Sequence, residues 1–72
     1  MRNFINEDVI IDFKVPSILQ ESIDIAEKAD DENNIGLYYI YADNIDVVAK
    51  NCYVDGALTK EQWKQLTNRY VQ

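Results

Sequence analysis

The run Asp30-Asp31-Glu32-Asn33-Asn34 offers the oxygen-rich side chains of a calcium loop. An EF-hand loop opening at Asp30 needs glycine at its sixth position and a bidentate glutamate at its twelfth. Those positions hold Ile35 and Tyr41, so the run reads as a polar interhelical turn. Asp24 with Glu27 or Lys28, and Asp43 with Asp46, place ionisable groups three or four residues apart. General acid–base work needs burial or a like charge in a cleft to separate pKa values, and the hydrophobic pattern puts these residues on solvent faces. Cys52 is the sole thiol. A reactive thiolate requires an electropositive, partly open setting, whereas Cys52 falls among apolar residues and reads as a small core side chain. The chain has no histidine, which removes histidine bases, histidine metal ligands and the Ser-His and Cys-His nucleophile pairs. The sequence therefore points to a non-enzyme, with no catalytic residue, no cofactor and no metal site.

Charge narrows the partners. Thirteen acids against seven bases give a formal net charge of −6. Residues 1–46 hold eleven acids and three bases, and residues 47–72 hold two and four. Direct binding to nucleic acid requires phosphate neutralisation by Lys and Arg, so none is expected. The acidic half reads as a solvated face, or as a surface made to meet a basic partner. One cysteine excludes an intrachain disulfide, and Met1–Asp8 lacks the apolar stretch of a secretion signal. Apolar runs are only a few residues long, far short of a bilayer span. A cytoplasmic protein is expected.

With 72 residues, 47% of them hydrophobic, the chain has room for one globular domain, 1–72. Val9, Ile11, Phe13 and Val15 alternate with Ile10, Asp12 and Lys14, a strand-like period within residues 1–14. With no hairpin turn beside it, this segment is expected to lie extended over the helices rather than pair as a sheet edge. A first helix is predicted over 17–29, with Ser17 as N-cap, Gln20 completing a capping box, and Ile18, Leu19, Ser22, Ile23, Ile25, Ala26 and Ala29 inward. A second is predicted over 35–54, with Leu37, Tyr38, Tyr41, Ala42, Ile45, Val48, Ala49, Cys52 and Tyr53 on its stripe. Leu37–Tyr41 also favours sheet, but the helical period continues through Cys52. Gly56 suits a left-handed C-cap. Thr59 and Gln62 form a second capping box, and Leu58 and Trp63 are spaced as a hydrophobic staple. They open a third helix over 60–71, whose inner stripe is Trp63, Leu66, Thr67 and Tyr70. The fold class is all-α: a small three-helix bundle with an extended N-terminal segment.

Five tyrosines are an excess for this length. Tyr38, Tyr41, Tyr53 and Tyr70 fall on or beside core stripes, with hydroxyls expected to reach solvent. Tyr39 does not, and neither do Ile40, Val47 and Val54, which repeat at heptad spacing as a second narrow seam. A middle helix packing on both neighbours would absorb that seam internally. Alternatively Tyr39, Ile40, Val47 and Val54 form a partner-binding surface, since tyrosine-rich apolar patches typify interfaces. A helix-turn-helix reading would use Lys60, Lys64 and Arg69 on the third helix. The apolar inner face of that helix and the acidity of the remainder argue against it.

Ile25-Ala26-Glu27-Lys28-Ala29, Tyr39-Ile40-Tyr41-Ala42-Asp43-Asn44 and Gly56-Ala57-Leu58-Thr59-Lys60-Glu61-Gln62-Trp63 with Arg69-Tyr70 resemble the small TTRAP-like family of transposon-encoded proteins of gut bacteria. The resemblance spans roughly residues 18–70 and rests on caps and core positions. The stretch from Gly56 to Tyr70 is also similar to a short C-terminal oligomerisation-type motif appended to other bacterial proteins. The resemblance implies a mobile-element origin and a small soluble helical protein, and brings no functional residues with it. The expected function is an accessory protein acting by protein–protein contact through Tyr39, Ile40, Val47 and Val54, as a monomer or weak homodimer, with the acidic first helix steering encounter. The alternative is an acidic nucleic-acid mimic, or an antitoxin or immunity-type protein binding a basic partner.

Overall fold

The computed structural model describes residues 3–71, so the expectation for the extended segment at residues 1 and 2 lies outside it. The elements are α1 (Ser17–Asp31), α2 (Ile35–Val54) and α3 (Lys60–Leu66), followed by a π-helical turn (Thr67–Val71). Among the described residues there is no strand, and the fold is a small all-α bundle.

The apolar stripe of α1 buries Leu19, Ile23, Ala26 and Ala29. Its start corrects the expectation. The helix begins directly after Pro16 with no side-chain cap, and Gln20 donates to Asp24 Oδ1 at 2.9 Å instead of closing a box with Ser17. Pro16 presets an extended entry (φ −53°, ψ 140°), which places Ser17 inside the first turn rather than before it. Ile18, expected inward, is 67% exposed. The helix also runs two residues past the predicted end, through Asp30 and Asp31.

Both long helices close alike. Asn33 takes a left-handed φ of 54° after α1, and Gly56 a φ of 85° after α2. The Asn34 and Asn33 amides donate to the Ala29 and Asp30 carbonyls at 2.8 and 3.0 Å. The Ala57 and Gly56 amides donate to the Cys52 and Tyr53 carbonyls at 2.8 and 3.1 Å. This is the Schellman pattern, which satisfies the last carbonyls of a helix. Asn34 then caps α2, accepting from the Leu37 N–H at 3.2 Å.

Tyr38, Ala42, Ile45, Ala49 and Cys52 form the buried stripe of α2. The pairing of α1 with α2 is the most extensive contact between elements. Alanines 26, 29, 42 and 49 are all buried there and let the backbones approach. The Thr59–Gln62 capping box forms in both directions, at 3.1 and 3.0 Å. The expected third helix over 60–71 is regular only to Leu66. Beyond it, carbonyls are claimed from outside the helix. Arg69 C=O accepts the Asn6 N–H at 2.9 Å, and Tyr70 C=O accepts the Tyr38 hydroxyl at 2.6 Å. The widened turn presents them to those donors. The Tyr53 and Trp63 rings stack with centroids 5.0 Å apart and planes 8° apart. Among the described residues, the buried indole N–H of Trp63 has no partner.

The N-terminal segment lies over the helices, as expected. Ile5 enters the core, with Phe4, Ile11, Phe13 and Val15 packed against it. The segment is not extended throughout, because Asn6–Val9 turns back on itself through the Val9 N–H to the Asn6 carbonyl and the Asp8 N–H to Asn6 Oδ1.

Three side chains hold the segment. Asp30, 1% exposed, accepts from the backbone N–H groups of Asn3 (3.2 Å), Phe4 (2.6 Å) and Ile5 (3.0 Å). The Asn3 side-chain amide returns a bond to the Asp30 carbonyl at 2.7 Å. At the other end, the Arg69 guanidinium donates to the Val9 carbonyl at 2.7 Å, and Gln65 reaches the Ile10 carbonyl at 3.4 Å.

The Tyr38 and Tyr70 hydroxyls are satisfied inside rather than in solvent. Tyr38 donates to the Tyr70 carbonyl, and Tyr70 donates to Glu27 Oε2 at 2.7 Å. Burial first, and then the nearby carboxylates, push both phenols up to about 12.

Two outcomes follow. Asp30→Ala strips the acceptor from three N–H groups and is expected to cost about 3 kcal/mol in urea unfolding. A loss under about 0.5 kcal/mol would show that this carboxylate does not hold the segment. The two phenols titrate near 10 when unfolded and at about 12 when folded. Between those values the folded chain holds more protons, so their contribution is complete below pH 10 and lost as pH rises towards 12. Thermal melts at pH 9, 10 and 11 should fall more steeply for the parent chain than for Tyr38→Phe/Tyr70→Phe. Parallel slopes would contradict this.

Candidate functional site

The four residues of the second seam stand on the outer face of α2, opposite the stripe that packs on α1. Tyr39, Ile40, Val47 and Val54 are 55%, 64%, 59% and 71% exposed. The internal reading of the seam therefore fails for Ile40, Val47 and Val54, which stay exposed, while Tyr39 alone of the four touches the N-terminal segment, through Phe4. Ile40, Val47 and Val54 stand seven residues apart, so they follow one line along the helix, about 10 Å between successive members. Tyr39 lies beside the line, held by edge-on contact with Tyr38 (5.9 Å between centroids) and a tilted contact with Phe4 (6.1 Å). The helix beneath is rigidly placed through Ala42, Ile45 and Ala49, each almost wholly buried. The result is an apolar ridge on a firm base.

A second feature is an open groove of about 730 Å³ between the N-terminal segment and α1. Ile11, Phe13 and Val15 line one wall, and Asp24, Glu27 and Asp31 the other, with Lys14 and Lys28 at its edge. Its most connected carboxylate is Glu27, which accepts from the Tyr70 hydroxyl and faces Arg69 at 3.6 Å. Burial works against the Arg69 charge, but the Tyr70 and Glu27 interactions outweigh it and hold this guanidinium above its ordinary value. Arg69 thus serves as a brace between α1 and the N-terminal segment, not as the free cation of a DNA-reading helix. Lys60 and Lys64 remain exposed on α3.

The remaining sequence candidates resolve as structure. Asp30 turns inward onto backbone amides rather than sitting in a solvated turn. Asp24, Asp43 and Asp46 are exposed. Cys52 is buried in the core. Sequence reasoning missed the part played by Asp30 and Arg69. Asp30 did carry a signal, since it falls on the Ile23–Ala26 face of α1 when the helix is continued past Ala29. No helix among the described residues is long and apolar enough to cross a membrane. No protein-family model, no curated protein and no solved structure matches this chain.

Proposed function

We propose that this protein is a non-enzymatic accessory protein that works by protein–protein contact, using the outer ridge of α2. The observation that carries this reading is the exposure of Ile40, Val47 and Val54 in a single line on a helix whose other face is fully packed. The acidic face of α1, with Glu21 and Asp24 exposed, would speed encounter with a basic partner. A cytoplasmic setting and a mobile-element origin belong to the same proposal, the latter on the strength of the sequence resemblance alone.

The test is the double substitution Ile40→Ser/Val47→Ser. Both side chains are more than half exposed, so helical circular dichroism should be retained and the melting temperature should move by less than about 5 °C. Retention of specific partners on the tagged protein should fall to background. A variant that melts without cooperativity would show the ridge to be core. A variant that keeps every partner would show the contact to lie elsewhere.

A further inference from the structure

The ridge carries charge beside its apolar line, and the order of the charges indicates what covers it. Ile40 and Val54 stand seven residues either side of Val47, so the line is symmetric in apolar content about Val47. At about 100° per residue, Asp43 and Lys50 fall on one flank of the line, and Asn44 and Asn51 on the other, each roughly 40–60° from its midline. All four are exposed. Neither Asp43 nor Lys50 forms a salt bridge among the described residues, although Asp46 stands four residues before Lys50 on the same helix.

We propose that the ridge receives a second copy of this chain, the two α2 helices running antiparallel about a two-fold axis beside Val47. The inference rests on the reading of the ridge as a contact surface and takes a second copy of this acidic chain, not a basic protein, as its partner, so electrostatic steering by α1 has no part in it. A two-fold axis across the seam reverses the helix direction but keeps each flank on its own side. Val47 then meets the partner's Val47, and Ile40 meets the partner's Val54. Asp43 and the partner's Lys50 share a flank, offset by only about 1.5 Å along the axis. Symmetry repeats the pair, so two ion pairs bracket the seam. The other flank carries only the amides of Asn44 and Asn51, with Asn44 Oδ1 already accepting the Ser22 hydroxyl, so no like charges meet there. A parallel pair would lose both ion pairs, setting Asp43 beside an amide and the two carboxylates at one level. A seam of about 21 Å buries less than the roughly 1,200 Å² of a standard interface, so the dimer should be of micromolar strength rather than obligate.

Sedimentation of the full chain from about 1 to 500 μM tests this, with circular dichroism confirming that each variant folds. The parent should show a reversible monomer–dimer equilibrium. Asp43→Lys and Lys50→Asp should each weaken it at least about tenfold, and the two together should restore it to within about threefold. On oxidation, Val47→Cys in a Cys52→Ser background should link to itself, and Ile40→Cys should not. A chain that stays monomeric throughout, a double variant as weak as the single ones, or equal linking at both positions would overturn the proposal. If the chain is monomeric while Ile40→Ser/Val47→Ser loses a host partner, self-pairing fails and the contact-surface reading stands. A dimer that persists in that double-serine variant overturns self-pairing through the ridge, and one that also keeps every host partner overturns both readings.

Discussion

A carboxylate at the C-terminal end of a helix faces the negative pole of the helix dipole, and a buried one also gives up its hydration. Asp30 accepts both penalties. What makes its position tenable is the row of three successive backbone N–H groups, Asn3 to Ile5, that converge on its two oxygens. Charge-assisted bonds of this kind are about twice as strong as neutral ones. They place the segment where Ile5 can enter the core and Phe4 can lie 5.0 Å from the Tyr38 ring. Without that anchor the top of the α1–α2 groove would be open, and a chain of 72 residues has little spare apolar surface to close it another way.

From this anchor the remaining polar contacts form a closed circuit. Tyr38 on α2 is bound to the Tyr70 carbonyl, Tyr70 to Glu27 on α1, and Arg69 to both Glu27 and the N-terminal segment. Four separate stretches of chain therefore share one network, in a region where burial strengthens each bond. The network occupies the inner side of α2 together with the alanine contacts. On the outer side of that helix Ile40, Val47 and Val54 stay exposed.

Much of the bundle was legible in the sequence because its signals are local. The 3.6-residue period of the two long helices, Gly56 and the Thr59–Gln62 box act within one or two turns, and Gly56 and the box are found in their expected places. The contacts that went unseen join residues distant in sequence. Nothing near Asp30 announces that its N–H donors lie 25 to 27 residues away, and the polar run that follows it disguised a core residue as part of a loop. Ser17 carried a true capping-box spacing, but the preceding proline set the helix start one residue earlier. The regular period from Trp63 to Tyr70 hid the π turn, whose Arg69 and Tyr70 carbonyls accept from Asn6 and Tyr38, residues far away in sequence. The ridge was legible as a pattern, Tyr39 with Ile40, Val47 and Val54, but not as a surface. Periodicity reports that a second stripe exists without saying whether another element lies against it.

The bond from Asn6 to Arg69 spans nearly the whole chain, and that has a bearing on synthesis. A ribosome makes the N-terminal segment first, and Asp30 can secure its beginning once α1 exists. Its second fastening, through Gln65 and Arg69, requires residues 55 and 60 positions further along the chain. Until those emerge from the ribosome, Ile11, Phe13 and Val15 have only part of their eventual cover. The nascent chain thus carries a loosely held apolar strip until residues 65–69 fasten it down.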